Sequence, residues 1–185
     1  MMPQFSTYPG VLIAVPQLND PNFHHSVVLM IEHDQDGAMG VVINRPIDHR
    51  CAEVTGRFNV AWPGHPGDQI RRGGPVSPET LWMVHDDGWS FEDTLKIGPG
   101  VAISRSSEAL SRMCQGQEQR LVLLVGYAGW GAGQLEQEIV EGSWIVGAVH
   151  PEFAFEISPE RVWHEALAQL GIDPIHLVES APTVQ

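Results

Sequence analysis

Hydrophobic and polar positions alternate in short blocks along this chain, and most of the blocks are too short for helices. Ser26–Glu32 is apolar almost without interruption and Gly40–Asn44 resembles it. Such runs suit strands buried on both faces. Asp34-Gln35-Asp36-Gly37 lies between them with the residues of a tight turn, so the pair predicts a hairpin. Gly10–Val15, ended by Pro16, predicts a first strand, and Thr80–His85, Val101–Ser104, Leu121–Val125 and Ser143–Val149 predict further strands.

Helical spacing is clearest near the C-terminus, where Ser158-Pro159 opens a stretch with Val162, Trp163, Ala166, Leu167 and Leu170 on one face and Gly171 at its stop. Ser106–Gln115 and Gln134–Glu141 predict two more helices. Residues 46–79 are rich in Pro and Gly and predict a loop region with at most a short helix near Cys51–Arg57. No repeat or composition break marks a second domain, so a single domain over residues 1–185 is expected, with a frayed tail over 178–185.

Charge narrows the function classes. The formal net charge is -13, Lys96 is the sole lysine, and the other nine basic residues are arginines. A field of that sign repels polyanions, which argues against duplex DNA binding by the chain on its own. No basic segment followed by an apolar one opens the chain, and the uncharged run Leu121–Leu135 is too short and too glycine-rich to span a bilayer. The expectation is a soluble cytoplasmic protein that needs no membrane, with Cys51 and Cys114 reduced.

Candidate chemistry is sparse. The stretch GYAGWGAGQLEQE (126–138) reads as strand, glycine loop and helix, the layout of a phosphate loop. It has neither Gly-Lys-Ser/Thr nor GxGxxG order, and Glu136 and Glu138 already occupy the helix start, so its glycines are expected to be architectural. Glu32, Asp34, Asp36 and Gly37 match the first positions of a calcium loop, but Ile43 stands where a bidentate glutamate is required. The nine histidines show no HxH, HxxxH or HExxH spacing, so no metal ligands and no cofactor are expected. GxSxG is absent and no catalytic residues can be named. Arg71-Arg72-Gly73-Gly74-Pro75 is the best local anion candidate, two guanidinium forks beside flexible backbone.

The order of the pieces says more than any one of them. GVLIAVPQLNDPNFHHSVVLMIEHDQDGAMGVVINRP (10–46), RRGGPV (71–76), LWMVHDD (81–87) and GYAGWGAGQLEQEIVEGSWIV (126–146) together resemble the YqgE/AlgH family of bacterial proteins. The resemblance covers about Gly10 to Leu177. It implies an α+β domain with a mixed, strongly bent sheet partly closed like a barrel and flanked by helices. It implies no reaction: the family's biochemical activity is not established, and its label as transcriptional regulators does not show contact with DNA. One departure is visible, His25, where the family usually has an arginine before Ser-Val-Val.

The favoured reading is a regulatory protein acting through a small-molecule or protein partner. A DNA-binding regulator and an enzyme of unidentified reaction stand as alternatives, and the oligomeric state is open. If a ligand site exists, it is expected where polar loops meet strand ends, from Asn44, Arg45, Arg72, Gly73, Gly74, His85, Tyr127, Trp130 and Gln134. Its arginines would meet a carboxylate or phosphate, unless Arg45 braces the loop by pairing with Glu136 or Glu138.

Overall fold

In the computed structural model, which describes residues 6–116 and 120–179, the chain runs β1 (Val11–Ala14), β2 (Val27–Asp34), β3 (Gly37–Val42), β4 (Pro46–Arg50), α1 (Cys51–Arg57), β5 (Gln69–Arg72), β6 (Val76–His85), β7 (Leu95–Gly98), β8 (Val101–Ser104), α2 (Ser107–Cys114), β9 (Leu121–Gly131), α3 (Gln134–Val140), β10 (Trp144–Gly147), α4 (Pro151–Phe155), α5 (Pro159–Gln169) and α6 (Pro174–Glu179). The predicted hairpin is β2–β3, with Asp36 N–H capped by Asp34 Oδ1 at 2.8 Å. The expected tail begins within α6 at Val178, and residues 180–185 lie outside the described residues.

The sheet is mixed and lies between helices, as expected, but it is not the partly closed, strongly bent barrel that the resemblance implied. The strands follow the order β10-β1-β2-β3-β9-β6-β8-β7, so β10 and β7 end the path and do not pair with each other. The physical reason is that both faces of the sheet are apolar. On one face Val27, Leu29, Ile31, Val41, Ile43, Val122 and Leu124 pack against Phe153, Ala154, Val162, Trp163, Ala166 and Leu167 of α4 and α5. On the other, Val28, Met30, Val42, Ala128 and Trp130 meet Leu135 of α3, while Met83 and Leu123 meet Cys51 of α1 and Ala109, Leu110 and Met113 of α2. A closed barrel would turn one of these faces inward onto itself. Here each is covered by helices instead, and the sheet stays open.

The spine is β9, which corrects the reading of residues 126–131 as a loop. Leu121–Tyr127 pair with β6, Ala128–Gly131 pair with β3, and β5 runs parallel to β9 through Arg71↔Leu124 and Arg72↔Val125. The strand does not keep one phase. Val122 and Leu124 face the α4–α5 side, whereas Ala128 and Trp130, also even-numbered, face α3. Gly126 makes the switch: its φ of +74° coincides with the register shift opposite Val76 and Leu81, a bulge that inverts the alternation.

The Pro- and Gly-rich region 46–79 contains the short strands β4 and β5 as well as the expected helix at Cys51–Arg57. Along α5, Val162, Trp163, Ala166 and Leu167 are buried as predicted, and the Trp163 indole donates to the Ala14 carbonyl at 2.7 Å, fastening the helix to β1. Leu170, expected on the same face, is the C-cap and is 42 % exposed. Gly171 follows with φ +70°, the left-handed stop that glycine provides.

Candidate functional site

Three of the expected segments meet where β3, β5 and β9 diverge. Gly73 N–H donates to the Val125 carbonyl at 2.8 Å, the Gly73 carbonyl accepts from Val42 N–H at 2.7 Å, and Arg72 N–H donates to the Arg45 carbonyl at 2.7 Å. The backbones approach so closely that a Cβ on Gly74 would lie 2.2 Å from the Tyr127 carbonyl carbon, and one on Gly126 would lie 2.5 Å from the Gly74 carbonyl oxygen. Glycine is required at both positions by close approach, and at Gly126 also by its positive φ.

Asn44 and Arg45 are occupied with holding the turn before β2. The Asn44 side-chain oxygen accepts from Val27 N–H at 2.9 Å and its amide donates to the His25 carbonyl at 2.9 Å. This bridges a residue at φ +52°. Arg45 donates to the carbonyls of Pro21 and His24, so it braces backbone and not Glu136 or Glu138. Those two carboxylates have other partners: Glu136 lies 3.2 Å from His33 Nε2, and Glu138 Oε2 accepts from the Trp130 and Trp144 indoles at 2.9 and 2.8 Å. His25 stacks between His24 and Trp163, with centroids 3.8 and 3.9 Å away. Burial, followed by the charges of His24 and His164, holds its pKa below the ordinary histidine value.

Arg71 and Arg72 part company because neighbouring strand residues point to opposite sides. Arg72 is exposed, while Arg71 turns inward. Its Nη1 donates to the Ile43 and Ala154 carbonyls at 2.6 and 3.2 Å, and among the described residues no carboxylate forms an ion pair with it. Burial lowers its pKa to about 10, against opposing contributions from Cys51 and Asp68. Arg71 lines a cavity of about 420 Å³ together with Trp62, Gln69 and Arg120. Arg120 pairs with Glu156 at the surface, and Cys51, in the same wall, has its thiol pushed up to about 12 by burial.

The remaining expected residues are spread along β9. His85 pairs opposite Leu121, and Trp130 lies nine positions further along the same strand. At roughly 3.3 Å per residue the two are separated by about 30 Å. His85 is fully buried: Nδ1 lies 2.8 Å from the Asp86 carbonyl and Nε2 2.9 Å from Ser104 Oγ. Desolvation holds its pKa below the ordinary value. Gln134 accepts from Gly131 N–H and donates to Glu138, closing the turn into α3. Tyr127 faces a second cavity beside Trp82 and Arg105. Among the described residues no three His, Cys, Asp or Glu side chains gather as metal ligands, and no helix is long and apolar enough to cross a membrane. Neither Trp82 nor Arg105 is expected from the sequence to line a cavity: Trp82 lies in LWMVHDD, which reads as a strand and as part of the family resemblance, and Arg105 directly follows the strand expected at Val101–Ser104.

Residues 11–175 match the AlgH-like family (DUF179), and the chain belongs to it. It is 38% identical over 172 residues to a UPF0301 protein of Xanthomonas oryzae, covering 91% of this chain and 92% of that one. Its fold is similar to the solution structure of AlgH from Pseudomonas aeruginosa, with a TM-score of 0.75, 34% identity and complete coverage of both chains. A crystal structure of DIP2367 from Corynebacterium diphtheriae shares the fold at TM-score 0.73 and 22% identity, over 96% of this chain and 92% of that one. The family's biochemical activity is not established.

Proposed function

We propose that this AlgH-like protein is a regulatory protein that responds to a small anionic molecule, a carboxylate or phosphate held in the Arg71 cavity. The observation that carries this reading is the inward-facing Arg71 guanidinium, which donates to two backbone carbonyls and, among the described residues, forms no ion pair with a carboxylate, Asp68 acting on it only from a distance. A buried cation is costly unless something compensates it, and a bidentate oxyanion is the partner a guanidinium fork fits best. The cavity of about 420 Å³ has the size of a small-molecule site. Asp68 and Glu160 also line it, which favours a ligand carrying a hydrogen-bond donor besides its anionic group. Action in the cytoplasm is supported by two buried free cysteines, Cys51 and Cys114.

Direct DNA reading is less favoured. Helices α2 and α3 are separated by the whole of β9, and although α4 and α5 are joined by the short turn 156–158, α4 spans only five residues and both pack onto the sheet through Phe153, Ala154, Val162 and Trp163. The net charge of -13 also opposes a polyanion. The test is a thermal-shift panel of inorganic phosphate, phosphate monoesters and short dicarboxylates against sodium chloride at matched ionic strength. At least one should raise the melting temperature saturably, by the linkage between binding and folding, and Arg71→Met should abolish the rise. A rise that follows ionic strength alone contradicts the proposal.

A further inference from the structure

A second cavity, which shares no lining residue with the one at Arg71, opens beside β6. It measures about 490 Å³ and is lined mainly by Met39, Trp82, Leu95, Ile103, Arg105 and Tyr127. Four observations of different kinds meet there. Trp82 is 4 % exposed, and its indole N–H is buried without an acceptor among the described residues. The Arg105 guanidinium lies over that indole, 5.0 Å from the ring centroid, and forms no ion pair among the described residues. Ser77, also in the wall, holds φ +46°, a strained conformation for a residue with a Cβ. Leu95 stands 52 % exposed at the edge strand.

Each observation has a chemical meaning. A buried donor without an acceptor forfeits its hydrogen bond, so a ligand oxygen placed there gains one. A guanidinium over an indole is already oriented and partly stripped of water, which strengthens its pairing with an anion. Trp82 and Tyr127 meet edge to face at 6.2 Å and 77°, an arrangement that leaves ring faces and edges for a third ring. Backbone strain gathers at ligand clamps. The carboxylate of Asp93, the acidic group in this wall, accepts from the N–H groups of Arg105 and Ser106 and from the Ser106 hydroxyl; it keeps its charge, but its oxygens are turned to those donors and form no ion pair with the Arg105 guanidinium among the described residues.

We infer that this cleft binds a small aromatic carboxylate, its ring among Trp82, Tyr127, Met39 and Leu95 and its carboxylate between the Arg105 guanidinium and the Trp82 N–H. The cleft is a second binding site, and its occupancy does not depend on the Arg71 cavity holding a ligand.

The experiment uses the full chain labelled with ¹⁵N and the probe 2-naphthoate, with 2-naphthalenemethanol as its neutral counterpart. The Trp82 indole N–H resonance is identified by its loss in Trp82→Phe. With 2-naphthoate that resonance should shift saturably, together with the backbone amides of Thr80 and Tyr127. The alcohol, and the acid tested on Arg105→Gln, should bind at least about tenfold more weakly, the loss expected for one charge-assisted hydrogen bond. Arg105 is exposed, so Arg105→Gln should keep the native melting temperature and remain a valid comparison. No saturable shift of Trp82 up to about 10 mM probe, weaker than any useful site, overturns the inference. So does equal affinity for acid and alcohol. A shift confined to the Trp62 indole, which lines the Arg71 cavity, also overturns it while supporting the anion site proposed above.

Discussion

Glu138 supports the end of the sheet that the glycine-rich strand reaches, and its removal should be felt strongly. One carboxylate oxygen accepts from both the Trp130 and the Trp144 indoles, at 2.9 and 2.8 Å, while the other accepts from Gln134 at 3.0 Å. Trp130 and Trp144 are only 6 % and 4 % exposed. Glu138→Ala therefore leaves two buried donors without an acceptor, at about 1–3 kcal/mol each. With partial relaxation of the rings the expected loss is about 2–5 kcal/mol, a fall in melting temperature on the order of 5–15 °C for a chain of this length. Glu138→Gln keeps one carbonyl oxygen for the indoles and should lose only about 1 kcal/mol. Val140, on the same helix and 82 % exposed, supplies the control: Val140→Ala should stay within about 0.5 kcal/mol. Urea unfolding followed by circular dichroism measures all three. A loss below about 1 kcal/mol for Glu138→Ala would refute the account, because it would mean the two indoles find other acceptors at no cost.

Three other outcomes follow from the structure. Gly126→Ala should destabilise by about 2 kcal/mol or more, since it meets both a positive φ and a carbonyl 2.5 Å away, while Gly129→Ala, whose Cβ would touch only the Tyr127 ring at 3.6 Å, should change stability by less than about 1 kcal/mol. His25 and His85 both have folded pKa values below the ordinary 6.5, so the unfolded chain binds more protons than the folded one in that window. Stability in urea should accordingly fall as the pH drops below about 6.5 toward their folded values, and a flat profile from pH 7 to 5 would count against imidazoles held neutral at these two positions. In a titration with duplex DNA fragments at about physiological salt, the chain alone should form no complex tighter than roughly 10⁻⁸ M; a tighter one would show that its charge does not govern its partners.

Much of the framework could be read from the chain because its signals are local. The uninterrupted apolar run of β2, the Asp-Gly turn and the four-position spacing of α5 each carry their own mechanism, and Ser106 caps α2 by accepting from Ala109 N–H as its position suggested. The second half of β9 was hidden by its glycines. Ala128 and Trp130 are buried while Gly129 and Gly131 are exposed, an alternation that marks a strand but that glycine content masks. Strands β4 and β5 were illegible because they gain their partners from distant segments, Pro46 opposite Arg71 and Arg71 opposite Leu124. Openness of the sheet could not be read at all, since it depends on which strands fail to meet.

The site proposed at Arg71 could be anticipated from the sequence only in part. The sequence pointed to paired arginines beside glycines, and the Gly73–Gly74 approach to Gly126–Tyr127 lies where three expected segments meet. What it could not supply was direction. Arg72, the arginine expected to bind, is exposed, whereas Arg71 turns into the cavity because adjacent strand residues face opposite sides. Arg45 and Asn44 spend their hydrogen bonds on the turn at Pro21–His25, a contact across about twenty residues that no local pattern announces.

The most direct test of the anion-responsive reading is isothermal titration calorimetry of inorganic phosphate and of succinate against the full chain, Arg71→Lys and Arg71→Met, at constant ionic strength. Saturable binding of at least one of the two to the native protein, weakened about tenfold or more in Arg71→Lys and lost in Arg71→Met with the fold retained, is the predicted result. Binding of equal strength in all three proteins, or none to the native chain up to about 10 mM, would contradict it.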